Sequence, residues 1–158
     1  MNNRIIICGQ GSSGKDYLKI KFNQRGYKQS ISYTTRLPRK GEFHGVDYYF
    51  ITNEVFQDMI ALDLFYEYKK FNGWYYGVGH HDFRHSNLFI MTPDAINELD
   101  EDTRRSSFVI YVNIDEDLRR SRLSKRNDAD NVERRLLADY YMFKDFNNYD
   151  LMITNPDF

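Results

Sequence analysis

Two stretches of this 158-residue chain carry residue types that could do chemistry. Gly9-Gln10-Gly11-Ser12-Ser13-Gly14-Lys15 matches G-x-x-x-x-G-K in full. Glycines let such a loop curl so that its backbone N–H groups face phosphate oxygens. A helix starting at the loop would turn its positive end to the same place, and Lys15 would reach the outer phosphates. The second stretch, Ser32 to Phe50, reads SYTTRLPRKGEFHGVDYYF. It sets hydroxyls, Arg36 and Arg39 around Pro38, the Glu42 carboxylate, two glycines and paired tyrosines side by side. That is too polar for a core strand. It suits the wall of a pocket for a small, multiply charged, aromatic ligand. Arg36 and Arg39 can fork onto one phosphate, and Tyr48 and Tyr76 can each offer it a hydroxyl.

Elements must position these residues. Arg4 to Cys8 reads as a buried strand, and Lys15 to Arg25, with Leu18 and Phe22 at helical spacing, as the helix after the loop. Short strands are expected at Lys28–Ile31 and Asp47–Ile51, and a short helix at Asn53–Ile60. Leu64–Phe71 and Trp74–Val78 flank Asn72-Gly73, a strong hairpin signal. A strand at Asn87–Met91 follows, then a helix to Leu99 with Thr92 as N-cap and Pro93 at its first position. Ser107–Ile114 reads as a buried strand, and Asp115 can cap a helix running to Lys125. Asn127–Asp130 is polar and reads as a loop, Asn131–Phe146 as a helix and Leu151–Thr154 as a last strand. Strands alternating with helices predict an α/β fold built on a parallel sheet. The tyrosine-rich region 32–79 reads as a lobe inserted over its ligand-binding edge.

Composition narrows the class. The length suits one domain with a sizeable core. A net charge of −1 provides no general basic field for a nucleic-acid partner. The lone Cys8 excludes an internal disulfide framework and fits a reducing compartment. No apolar run approaches the roughly 20 residues of a membrane span. Ile5-Ile6-Ile7 is too short for a signal peptide, so a cytoplasmic location is expected. The 13 Tyr and 12 Phe read mostly as core. His44, His80, His81 and His85 fit no metal-ligand spacing.

Ser32 to Phe50 resembles the guanylate kinase signature S-x-T-T-R-x-P-R-x-G-E-x-x-G-x-D-Y-x-F. The similarity continues through Phe65-Tyr66-Glu67-Tyr68 and Gly73-Trp74-Tyr75-Tyr76-Gly77. More weakly it extends through Arg122–Arg126, Arg134-Arg135-Leu136 and Ile153-Thr154-Asn155-Pro156-Asp157. The resemblance implies a phosphate-loop nucleoside monophosphate kinase: one domain with a core (1–31 and 80–158), an acceptor-binding β-rich lobe (32–79) and a small lid at about 126–135. It implies ATP- and Mg²⁺-dependent phosphorylation of GMP or dGMP. Gly9, Gly11, Ser12, Ser13, Gly14, Lys15, Asp16, Arg122 and Asn155 would hold ATP. Lys15, Arg36, Arg126 and Arg135 would carry the catalysis. Ser32, Arg36, Arg39, Glu42, Tyr48, Glu67, Tyr76 and Thr92 would hold the acceptor. By the same resemblance relatives continue with a further helix after the Asn155 segment, so self-association could cover the surface left at Asp157-Phe158.

Some residues read in two ways. Asp16 stands where the loop motif has Ser or Thr: it binds the metal, or it complements the helix N-terminus. Glu67 accepts both donors of guanine's edge, or it is a strand carboxylate beside Lys69. Thr92 offers the acceptor a hydroxyl, or it caps its helix. Val78, Ile90 and Thr92 replace the polar residues that guanylate kinases place near the base, which keeps open a kinase for another (d)NMP. A non-catalytic phosphopeptide-binding module is the other alternative, and the complete loop speaks against it. Arg119, Arg120 and Arg134 are expected to solvate helix faces.

Overall fold

In the computed structural model of the chain, residues 4–126 and 131–158 are described. The chain forms two compact units, Met1–Tyr27 with Leu88–Phe158, and Lys28–Asn87. The first strand, β1 (Arg4–Gly9), is an apolar run with both faces covered, as a central parallel strand requires. It leads through the glycine loop into α1 (Lys15–Gln24).

The second unit begins with a difference from expectation. Lys28 to Ile31 forms no strand. Lys28 instead spends both backbone groups on Asn87, donating to its Oδ1 (2.6 Å) and accepting from its N–H (3.0 Å). The strand comes later, inside the polar stretch, as β2 (Tyr33–Thr34), followed by β3 (Tyr49–Phe50) and α2 (Asn53–Ala61). The hairpin of β4 (Phe65–Phe71) and β5 (Trp74–Gly79) turns at Asn72 (φ 52°) and Gly73 (φ 85°). Left-handed values at both central residues define the two-residue turn whose twist matches its strands. A six-residue helix, α3 (His80–His85), closes the unit. It is too short for a readable apolar period, and Phe83 holds it by stacking on Tyr66 at 3.5 Å. The sheet order is β3-β2-β5-β4, with β2–β3 parallel and the other pairs antiparallel. Its core is aromatic: Phe56 stacks on Phe65 (4.4 Å) and Tyr75 (5.2 Å).

The chain then returns to the first unit with β6 (Leu88–Ile90) and α4 (Pro93–Asn97), which Thr92 caps by accepting from the Ala95 N–H at 3.3 Å. A short helix, α5 (Glu101–Arg105), is capped by Asp100 and went unread in the sequence. The strand β7 (Ser107–Val112), the helices α6 (Glu116–Lys125) and α7 (Val132–Phe143), and β8 (Leu151–Ile153) complete the unit. The strands pair in parallel in the order β6-β1-β7-β8. One sheet face packs Ile5, Ile7, Leu88, Ile110 and Val112 against Leu18 and Phe22 of α1 and Leu118 of α6. Near Tyr111, Phe143 of α7 stacks at 5.5 Å. Among the described residues no helix is long and apolar enough to cross a membrane. Residues 127–130, within the expected lid, lie outside the described residues.

Candidate active site

The loop after β1 is shaped by backbone conformation. Gly14 is left-handed (φ 100°) at the N-cap of α1, a position costly for any side chain. The Lys15 amine donates to the Gly9 and Gln10 carbonyls at 2.6 and 2.8 Å. Burial lowers its pKa, with Asp139 opposing the shift. The Ser12 and Ser13 hydroxyls are buried without a hydrogen-bond partner among the described residues. Unpaired buried hydroxyls beside curled backbone and a buried amine fit a polyanion.

Arginines expected for donor binding and for catalysis converge on this loop. Arg122 on α6 donates to the Ser12 carbonyl at 3.1 Å, and the Arg126 charge acts on Lys15. Arg135 lies beside Gly11, its Nη2 3.8 Å from where a side chain on that glycine would start. A cavity of about 260 Å³ opens next to the loop, lined by Gly14, Tyr17, Arg122, Pro156 and Phe158. Asn155 lies in the same C-terminal segment, where its Oδ1 accepts from the Asp157 N–H at 3.0 Å. Asp16 is exposed in the first turn of α1, with Lys19 3.4 Å away. Magnesium is commonly held by one or two carboxylates together with substrate phosphates and water, and Asp16 could serve as such a carboxylate.

Arg119 corrects the sequence reading. It solvates no helix face: it is 5% exposed, donates to the Ile114 carbonyl at 3.1 Å and pairs with Asp139 at 3.4 Å. Arg120 does lie at the surface, bridging Glu116 and Glu133. Asp139 and Gln10 went unread as site residues. Gln10 reaches the end of β7, donating to the Tyr111 hydroxyl (3.0 Å) and to Asn113 just beyond it (3.3 Å). Asp139 accepts from the Gly11 N–H at 2.8 Å. A signal existed for it: Leu136, Asp139 and Phe143 share the buried stripe of α7, and a carboxylate on an apolar stripe needs a partner.

In the second unit, Arg36 is the centre. It is 6% exposed, and Glu42 grips it with both oxygens (3.0 and 2.9 Å) while accepting from the Arg39 N–H at 2.7 Å. Burial opposes charge on both partners. The hydrogen bonds and mutual attraction outweigh it, raising the Arg36 pKa and lowering that of Glu42. The guanidinium also lies over the Tyr48 ring at 5.5 Å, and Tyr48 meets Tyr76 edge-on at 6.1 Å. Glu67 stands opposite Val78, and Lys69 opposite Tyr76, so these four share a face of the β4–β5 hairpin. Ser32 lies one residue before β2 and accepts from the Tyr49 N–H at 2.9 Å. Thr92 belongs to the first unit, its hydroxyl engaged as the α4 cap.

Comparison with known proteins supplies the family. The family model for guanylate kinase matches residues 1–158. The chain belongs to the guanylate kinase family. It is 30% identical to a guanylate kinase of Francisella tularensis subsp. tularensis across 100% of this chain and 91% of the relative. With a guanylate kinase of Neisseria meningitidis serogroup B it shares 42% identity over 49% of this chain and 38% of the relative. The crystal structure of guanylate kinase from Anaplasma phagocytophilum has the same fold, with a TM-score of 0.74 and 22% identity over 97% of this chain and 77% of that one. This member of the guanylate kinase family is therefore a nucleoside monophosphate kinase, a transferase, built on the family's α/β fold.

Proposed function

We propose that the chain transfers the terminal phosphoryl group of ATP to GMP or dGMP, with Mg²⁺. The observation that carries this reading is the buried Arg36 cluster with Glu42, Tyr48 and Tyr76, on a unit whose β4–β5 hairpin also presents Glu67. Phosphoryl transfer asks a protein for alignment and positive charge rather than covalent help. Arg36, Arg39, Tyr48 and Tyr76 fix the acceptor phosphate. Glu67 accepts from the ring N–H and exocyclic amine of guanine, a donor pair adenine lacks, with Ser32 and Glu42 beside base and ribose. Gly9 to Lys15 cradle the donor phosphates, and the adjoining cavity, with Arg122 and Asn155, takes the donor base. Lys15, Arg126 and Arg135 spread the charge that develops as an acceptor oxygen attacks the terminal phosphorus. A bound Mg²⁺, held by Asp16 and the phosphates, would supply further neutralisation.

A second reading, a kinase for another (d)NMP, is favoured by one observation. Val78, directly opposite Glu67, is buried and apolar. A coupled assay across the nucleoside monophosphates at saturating ATP decides between them. GMP and dGMP are expected to lead, and Glu67→Gln to reduce their advantage by up to roughly 10⁴-fold, since a pocket built on such bonds strands polar groups with the wrong base. An even profile in the unaltered chain removes guanine from the proposal.

A further inference from the structure

Asp139 takes part in no step proposed above. The residue is 6% exposed, and its carboxylate accepts from the Gly11 N–H at 2.8 Å and stands 3.4 Å from the Arg119 guanidinium. The charges of Lys15 and Arg135 act on it as well. One side-chain anion thus has a backbone N–H of the loop and three cations around it. Those are the partners a phosphate oxygen would use. One N–H cannot serve two anions, and like charges in contact repel strongly where water is excluded.

We propose that Asp139 sets the donor affinity of the phosphate loop, by competing with the donor's phosphates for the Gly11 N–H and for the cations around it. This rests on reading Gly9 to Lys15 as the donor loop. Donor binding then requires the carboxylate to leave the Gly11 bond, and part of the gain from each phosphate contact is offset by the contact it replaces. Burial pushes the Asp139 carboxyl up, with the Gly11 N–H and the three cations pulling the other way. The side chain is held by the Gly11 N–H and the Arg119 guanidinium, and it yields when a more highly charged anion takes them.

Titration calorimetry of ATP into the full chain tests the idea. Asp139→Asn keeps the shape and an oxygen acceptor but removes the charge. It is expected to bind ATP at least about tenfold more tightly than the unaltered chain, about one hydrogen bond's difference. Equal or weaker binding overturns the proposal, because a purely structural Asp139 gives that result. Lys15→Ala, run alongside, isolates the underlying reading: if it binds ATP as well as the unaltered chain does, the donor loop itself is wrong. Should Asp139→Asn fail to fold, the double variant Arg119→Met with Asp139→Leu removes the buried pair together, frees the Gly11 N–H, Lys15 and Arg135, and is likewise expected to bind ATP more tightly than the unaltered chain. In the unaltered chain, the ¹³C resonance of the Asp139 carboxyl must move when ATP is added. A resonance that stays in place also overturns the proposal.

Discussion

Lys15, half-buried, and Arg36, buried, are cations held on opposite terms. Among the described residues Lys15 donates only to backbone carbonyls, which carry no net charge, and Asp139 acts on it as a nearby charge rather than as a direct partner. Arg36 already has a bidentate carboxylate. Lys15→Ala should therefore reduce kcat by about 10³-fold or more, the scale of a lost cation on a transferring phosphoryl group, in a steady-state assay. Glu42 has a different consequence. Its pKa is lowered in the fold, so the stability it contributes is fully present above the ordinary glutamate value. That contribution is lost as pH falls through the lowered one. Urea unfolding at neutral pH should show Glu42→Gln less stable by roughly 1.5–3 kcal/mol, the scale of hydrogen bonds to a charged group. The gap should close as pH falls below the carboxylate range. A gap that widens on acidification would mean that Glu42 holds Arg36 through shape rather than charge.

Elements were legible wherever a local pattern decides them. The apolar run of β1, the loop and α1 needed only spacing, and Asn72-Gly73 declared its hairpin through two left-handed residues. The helices α3 and α5 escaped because they are too short to show a period, and the start of 28–31 misled because one distant residue, Asn87, takes both backbone bonds of Lys28. The same limit applied at the site. Lys15, Arg36 and Glu42 sit inside contiguous motifs, whereas the Arg119–Asp139 pair joins α6 to α7 and has no local signature. Arg119 and Arg120 are neighbours of one type with opposite fates, and that difference is measurable. Arg119→Leu leaves a buried carboxylate without its guanidinium and should cost about 3 kcal/mol in urea unfolding, as broken buried pairs do. Arg120→Leu, at the surface, should leave the midpoint where it is. Equal effects would place Arg119 back among solvated side chains.

At the scale of the molecule, each unit has its own core: in the first, an aliphatic cluster and a Tyr111–Phe143–Phe146 cluster around a parallel sheet; in the second, an aromatic cluster around a mixed sheet. The proposed function assigns donor contacts to the first unit and most acceptor contacts to the second. A ligand stabilises the structure it binds, and amides that exchange by local opening report which structure that is. Hydrogen exchange can therefore divide the function between the units. ATP alone is expected to slow exchange at the end of β1, in the Gly9–Lys15 loop and at the start of α1. GMP alone is expected to slow it around Arg36 to Tyr48 and along β5. Where an opening must release the ligand, the slowing should approach a factor of about 100 at a ligand concentration one hundred times Kd. UMP and CMP probe the base within the same measurement. They carry the phosphate that Arg36 and the tyrosines would hold, but lack guanine's donor pair. Weak protection by both, beside strong protection by GMP, assigns the discrimination to the Glu67 face. Protection of equal depth by all three leaves phosphate capture intact and removes Glu67 from base selection.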